Sequence, residues 1–236
     1  MQCSELEGAI MKNNILSASN YQHSSTFCNH ELECVLCECI GIYNTISSTE
    51  RLPNDEELIR DAFLRYLKND DYKNQHSPLD EFHFEKEVED GLGRLDIQIL
   101  PINPYRGDKA FYSIECKRLD SKNVSGATGL NSEYIKNGIC RYVSNYYSTY
   151  YNTNAMFGFV VENIDIMDNI SKINSLLRKS YTNQQGKKVK ANVIQEMQYN
   201  NFAGAYPYSF ISKHKHTSKK EIVLYHLMFD FSNIIV

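Results

Sequence analysis

Two short stretches carry residue types that could do hydrolytic chemistry. The first reads Gly93-Arg94-Leu95-Asp96-Ile97-Gln98-Ile99, and nineteen positions after Asp96 the second reaches Glu115, in Phe111-Tyr112-Ser113-Ile114-Glu115-Cys116-Lys117. Both read as strands. Side chains alternate along a strand, so Glu115 and Lys117 share one face while Ile114 and Cys116 share the other. Two carboxylates and an ammonium on neighbouring strands are costly to bury for packing alone. They are what a divalent cation and an activated water require. Each fragment taken singly also has a plainer explanation. Asp96 fits an exposed strand position, and Glu115 with Lys117 fits a surface pair worth under ~1 kcal/mol.

Such residues need elements to hold them. A helix is expected from Asn54, with Pro53 before it and Asn54 and Glu57 forming a capping-box-like start. Its apolar stripe is Leu58, Ile59, Ala62, Phe63, Tyr66 and Leu67, which leaves Glu56 at the stripe's edge and Glu57 on the far side. Glu56 is therefore the glutamate able to look into the fold. A hairpin follows over 82–88 and 94–100, turning through Glu89-Asp90-Gly91-Leu92-Gly93. After a loop marked by Pro101, Pro104 and Gly107 come a strand over 110–117, a helix over 133–147 and a buried apolar strand over 156–161. A helix over 165–181 and two late strands, 206–212 and 222–229, complete the chain. Before all of these, 30–46 has helical spacing, and a short helix is expected near 6–11. The order α-α-β-β-β-α-β-α-β-β predicts an α/β (α+β mixed) fold: one central mixed β-sheet flanked by helices. One domain is expected, with 1–53 a helical extension, 54–162 the core and 163–236 a basic C-terminal helix and strands.

The chain has 236 residues, 42% hydrophobic and 23% charged, with net charge −4. That balance argues against indiscriminate polyanion binding. From Lys172 to Lys220, however, ten Lys and Arg stand against one acid, Glu196. A basic third on an acidic protein predicts a local phosphate-facing surface. Its candidates are Lys187, Lys188, Lys190, Lys213, His214 and Lys215, with Arg141 on the preceding helix; Arg141 fits a salt bridge in the core equally well. A solvated lysine-rich face explains the same run equally well. No stretch of ~20 apolar residues suits a bilayer, and the first residues lack a secretory pattern, so no membrane and a cytoplasmic location are expected. Seven unevenly placed cysteines read as reduced thiols. Cys34, Cys37 and Cys39, with Cys28 and His30 nearby, read as core of an apolar helix in preference to a zinc site. His214, His216 and His226 read as strand-face residues rather than metal ligands, and most of the 17 tyrosines as core.

The set Asp96…Glu115-Cys116-Lys117 resembles the PD-(D/E)XK nuclease superfamily, which has the restriction-endonuclease-like fold. There an acid on one strand is followed by acid-any-lysine on the next, and a preceding helix adds a glutamate, the place Glu56 takes here. The resemblance covers about residues 54–162 and lacks the name-giving proline, since Leu95 precedes Asp96. The segment Tyr134–Val143 with Tyr146 and Tyr147 also looks like one from bacterial defence nucleases of this fold. So, more loosely, do Ser212–His216 and Tyr225–Leu227.

The resemblance implies a Mg²⁺-dependent endonuclease, with Mn²⁺ as the substitute ion. Asp96, Glu115, the Cys116 backbone carbonyl and Glu56 would hold the metal, and Lys117 would position the attacking water. DNA is the expected substrate ahead of RNA, with a restriction or anti-phage role and a homodimer or a partner defence protein. Three alternatives stay open: an RNA-cleaving toxin-type nuclease, a non-catalytic nucleic-acid-binding subunit of a larger complex, and a subunit silent until a partner activates it.

Overall fold

The computed structural model describes residues 24–102, 110–144, 146–148 and 150–236. The helix expected near 6–11, and Pro104 and Gly107 of the expected loop, lie outside the described residues.

Helix α1 (Ser24–Thr49) is longer than the 30–46 expected. It buries Leu32, Val35, Leu36, Cys39, Ile42 and Ile46, a stripe at three- and four-residue spacing. Cys37 is exposed and Cys34 half-buried, so the apolar-core expectation holds for Cys28 and Cys39 and fails for those two.

Helix α2 (Glu56–Leu67) starts one step later than the capping-box reading. Asp55 is the N-cap, accepting from the N–H groups of Glu57 and Leu58 at 2.9 and 3.0 Å. Asn54 instead accepts from Arg118. Ile59, Ala62, Phe63 and Leu67 face the core as expected, but Leu58 is 50% exposed and Arg60 takes a buried position. A short helix α3 (Asp70–Gln75), unforeseen, leads into the sheet.

Strands β1 (Phe82–Asp90), β2 (Gly93–Pro101), β3 (Tyr112–Leu119) and β4 (Thr153–Val160) follow the expected hairpin-then-strand order. The helix expected over 133–147 is three joined pieces: α4 (Leu130–Tyr134), a π-turn over Ile135–Ile139, and α5 (Cys140–Val143). It ends four residues early. Helix α6 (Ile166–Leu176) is also shorter than expected, and Tyr181 belongs to a strand.

A small hairpin, β5 (Ser180–Thr182) with β6 (Lys188–Lys190), and strand β7 (Val193–Tyr199) stand where the sequence reading placed the end of the 165–181 helix and then no element. β5 and β6 are only three residues each and β7 mixes apolar with polar residues out of alternation, which hides the period that marks a half-buried strand. Strands β8 (Ser209–Lys215) and β9 (Glu221–Asp230) close the chain.

The seven-stranded sheet has the order β1-β2-β3-β4-β9-β8-β7. β4 is parallel to both β3 and β9, and the remaining pairs are antiparallel, so the sheet is mixed and flanked by helices. One face carries Phe157, Phe159, Phe229 and Ile114 against α1 and α2. The other carries Met156, Val160, Leu224 and Met228 against the α4–α5 segment and α6. The expected segments 1–53, 54–162 and 163–236 share this sheet and its two cores: α1 covers the first face, and β9 lies beside β4.

Candidate active site

Strands β2 and β3 pair only from Ile97↔Ile114 to Ile99↔Tyr112. Beyond Ile114 they part, and side chains take over the edge of β3 that β2 has left. The Cys116 N–H donates to Asp96 Oδ2 at 2.7 Å, and the Arg118 N–H donates to Glu56 Oε2 at 2.8 Å. The Cys116 carbonyl accepts from Lys117 Nζ at 2.5 Å. Backbone groups that a strand partner would satisfy are satisfied by two carboxylates and an ammonium, as buried backbone requires.

Lys117 Nζ lies 2.9 Å from Glu115 Oε1, 3.1 Å from Glu56 Oε1 and 3.8 Å from Asp96 Oδ2. Asp96, Glu115, Glu56 and the Cys116 carbonyl, drawn from two strands and a helix, thus converge on one positive charge. That charge is the ammonium of Lys117. Among the described residues no group of three or more His, Cys, Asp or Glu is arranged to hold a metal ion. The donors themselves are hard oxygens, the chemistry Mg²⁺ prefers. Lys117 Nζ occupies the point on which they converge. Glu57, assigned from sequence to the far side of the helix, is exposed.

Glu115 is 1% exposed and is held on both oxygens. Oε1 accepts from Arg141 Nη1 at 2.9 Å, and Oε2 accepts from the Tyr147 hydroxyl at 2.9 Å. Tyr147 in turn accepts from Arg141 Nη1 at 2.8 Å. Burial pushes the Glu115 carboxyl up to about 7, against the pull of Lys117 and Arg141. The three carboxylates hold Lys117 protonated, well above its ordinary value despite its burial.

Arg60 is a residue the sequence reading missed. It is 2% exposed and bridges Asp96 Oδ1 at 3.4 Å, Asp61 at 3.1 Å and Glu87 at 3.1 Å. It orients Asp96 from the side opposite Cys116. The signal was present: Glu56 and Arg60 are four apart on one helix and so share a face.

The chain matches no protein-family model, no curated protein and no solved structure.

A second polar group anchors the helix that carries Arg141. His214 Nδ1 meets the Ala191 carbonyl at 2.7 Å, Ser212 Oγ lies 2.7 Å from both His214 Nε2 and His226 Nε2, and His226 Nδ1 meets the Tyr134 hydroxyl at 2.8 Å. A carbonyl only accepts, so His214 donates from Nδ1 and accepts at Nε2. Ser212 then donates to His214 and accepts from His226, which accepts from Tyr134. Both rings are neutral: burial pushes His214 down to about 4 and His226 well below its ordinary value. The relay ends at Tyr134, one residue before the π-turn. There Gly138 packs so closely on Met156 that a Cβ would sit 2.3 Å from its Cε, and 3.9 Å from Lys117 Cγ.

Arg141 thus reaches the carboxylate cluster as a cation beside the site. His214 is a correction: it is fully buried and neutral in the relay, so it meets no phosphate. Lys187, Lys188 and Lys190 are exposed on the β5–β6 hairpin. Lys215 is exposed and Lys213 pairs with Glu221 at 3.3 Å, both on β8. Two strands separate β8 from β3, about 14 Å across the sheet.

Proposed function

We propose that the chain is a metal-dependent phosphodiesterase that cuts nucleic acid, DNA in preference to RNA. The observation that carries this reading is the meeting of Asp96, Glu115, Glu56 and the Cys116 carbonyl around one cationic point in the fork between β2 and β3. Those four groups would hold Mg²⁺, or Mn²⁺ in its place. The ion when bound would lower the pKa of a coordinated water and neutralise charge on the phosphate.

The protein's own groups have separable tasks. Arg141 and Tyr147 hold Glu115 in one orientation and favour its anion. Arg60 and the Cys116 N–H do the same for Asp96. Lys117, released from the carboxylates, donates to the attacking water and to the oxyanion that develops on phosphorus.

A second reading has its own support. Lys117 closes on all three carboxylates, and Arg60 on Asp96 and Arg141 on Glu115 add two more cations, so the cluster is charge-compensated without any ion. On that reading the site is a structural ion-pair network in a binding module.

One experiment separates the two. Purified protein is incubated with plasmid, single-stranded DNA and RNA, with Mg²⁺, Mn²⁺ or chelator, beside a Glu115→Ala control. The hydrolase reading expects cleavage that needs the divalent ion and Glu115. Cleavage surviving chelation or the substitution overturns it. Absence of cleavage, together with a melting temperature unmoved by Mg²⁺, favours the structural network.

A further inference from the structure

Beside the carboxylate cluster lies a cleft of about 90 Å³, between the π-turn with α5 on one wall and the tip of the β5–β6 hairpin on the other. Its lining includes Lys136, Asn137, Arg141, Tyr146, Gln184 and Gln185; Lys136 and Asn137 both donate to Glu133, which is not among the described lining residues. Two features make it more than a surface crevice. Among the described residues Arg141 hydrogen-bonds only through Nη1, to Glu115 and Tyr147, and its guanidinium lies over the Tyr146 ring at 5.0 Å, so Nε and Nη2 keep donors to offer the cleft it lines. The opposite wall is fixed in place. Asn183 Oδ1 accepts from the N–H groups of Gln185 and Lys187 at 3.0 and 2.9 Å, and Gly186 takes the positive φ of +72° that the turn needs. The hairpin's inner residues, Tyr181 and Val189, pack on the second core, which leaves Lys188 and Lys190 outward.

Size and chemistry select the occupant. A water needs roughly 10–15 Å³ of such space, so about 90 Å³ has room for several waters or one small polyatomic group. The cleft therefore holds a compact group. The Arg141 guanidinium and the Gln184 and Gln185 carboxamides, beside Lys136 and Asn137 that already hold Glu133, favour an oxyanion, and a guanidinium fork matches phosphate. The same guanidinium holds Glu115, so a phosphate bound here lies next to the one undergoing hydrolysis.

We propose that this cleft binds the phosphate adjacent to the scissile one on a single nucleic-acid strand, with the β5–β6 hairpin tip as the clamp. The proposal rests on the phosphodiesterase reading above and extends it by naming how the strand is gripped.

The test measures binding without turnover. A short fluorescein-labelled single-stranded DNA is titrated with protein in chelator and followed by anisotropy, for wild type, Gln185→Glu and Gln184→Glu, with the exposed Asn44→Glu on α1 as the distant control. Each added carboxylate in the cleft should weaken binding about ten-fold or more through like-charge repulsion, while melting temperatures stay unchanged and the control binds as wild type. Equal binding by wild type and both cleft variants overturns the proposal, as does no binding by wild type. Inorganic phosphate supplies a further arm: it should compete with the DNA. Phosphate that stabilises wild type against heat without displacing DNA would make the cleft a free-anion site and overturn the proposal. The two readings fail separately. Loss of cleavage alone, with binding still sensitive to Gln185→Glu, removes the hydrolase and leaves the clamp. Cleavage with insensitive binding removes the clamp alone.

Discussion

Asp96 Oδ2 accepts the backbone N–H of Cys116 at 2.7 Å, at the point where β2 and β3 stop pairing. One side chain thus does two jobs: it finishes the hydrogen bonding of β3 and presents its carboxylate to Lys117. The geometry separates these jobs by mutation. Asp96→Asn keeps an acceptor for the Cys116 amide and removes the charge. It should fold with a melting temperature close to wild type and lose cleavage by a factor of about 10² or more. Asp96→Ala should lose cleavage and, by stranding a buried amide, also about 1–3 kcal/mol of stability. Plasmid nicking beside thermal melts checks both. Equal activity in Asp96→Asn and wild type would remove Asp96 from the chemistry.

Glu115 makes the site sensitive to pH. Its carboxyl lies at about 7 because burial outweighs its cationic partners. Ion binding needs the anion, so cleavage should rise with pH through an acid limb near 7. Stability should respond the other way. A carboxyl raised on folding contributes most below its unfolded value, and that contribution is lost as pH climbs from the ordinary carboxylate range through about 7. Arg141→Gln removes a cation from Glu115 and should move the acid limb to higher pH. A pH–rate profile of the two proteins decides, and an unmoved limb would detach Arg141 from Glu115.

Gly93 should tolerate no side chain. A Cβ there would lie 2.1 Å from Tyr146 Cε1 and 2.8 Å from Tyr147 Cε1. Gly93→Ala must displace the two rings, one of which donates to Glu115. Overpacking of this kind costs roughly 1–3 kcal/mol, and detachment of Tyr147 should lower cleavage further than the stability loss explains. Urea denaturation and single-turnover rates at a temperature where both proteins are folded separate the two effects.

Ser212 should be structural. Its hydroxyl serves two buried, neutral histidines, so Ser212→Ala strands a nitrogen on each ring. The expected loss is roughly 1–3 kcal/mol for each unpaired group. A 236-residue chain should then melt several degrees lower, at about 2–4 °C per kcal/mol. An unchanged melting temperature would mean that the relay carries no stability.

Much of the sheet was legible because its signals are local. Strand alternation placed Glu115 and Lys117 on one face, and the apolar run at 156–161 placed the buried strand β4. The basic region from Lys172 was harder. Its hairpin is short and polar, so its strands show no hydrophobic period. The helix over 133–147 was read as continuous because its composition does not reveal the π-turn, which rests on the fit of Gly138 to Met156.

Residue types, their order along the chain and the face each shares with its near neighbours were determined by the sequence alone. Such features depend on periods of two and 3.6 residues, which a short window contains. Only the folded chain decided that β2 and β3 separate after Ile114, that Glu56 caps the Arg118 amide 62 positions away, and that Arg60 seats Asp96 across 36. It also buried His214 in a neutral relay and set Arg141 between Glu115 and the cleft. Those relations arise where strand register, burial and the demand to satisfy every buried polar group are met together, and no local stretch of chain contains all the partners.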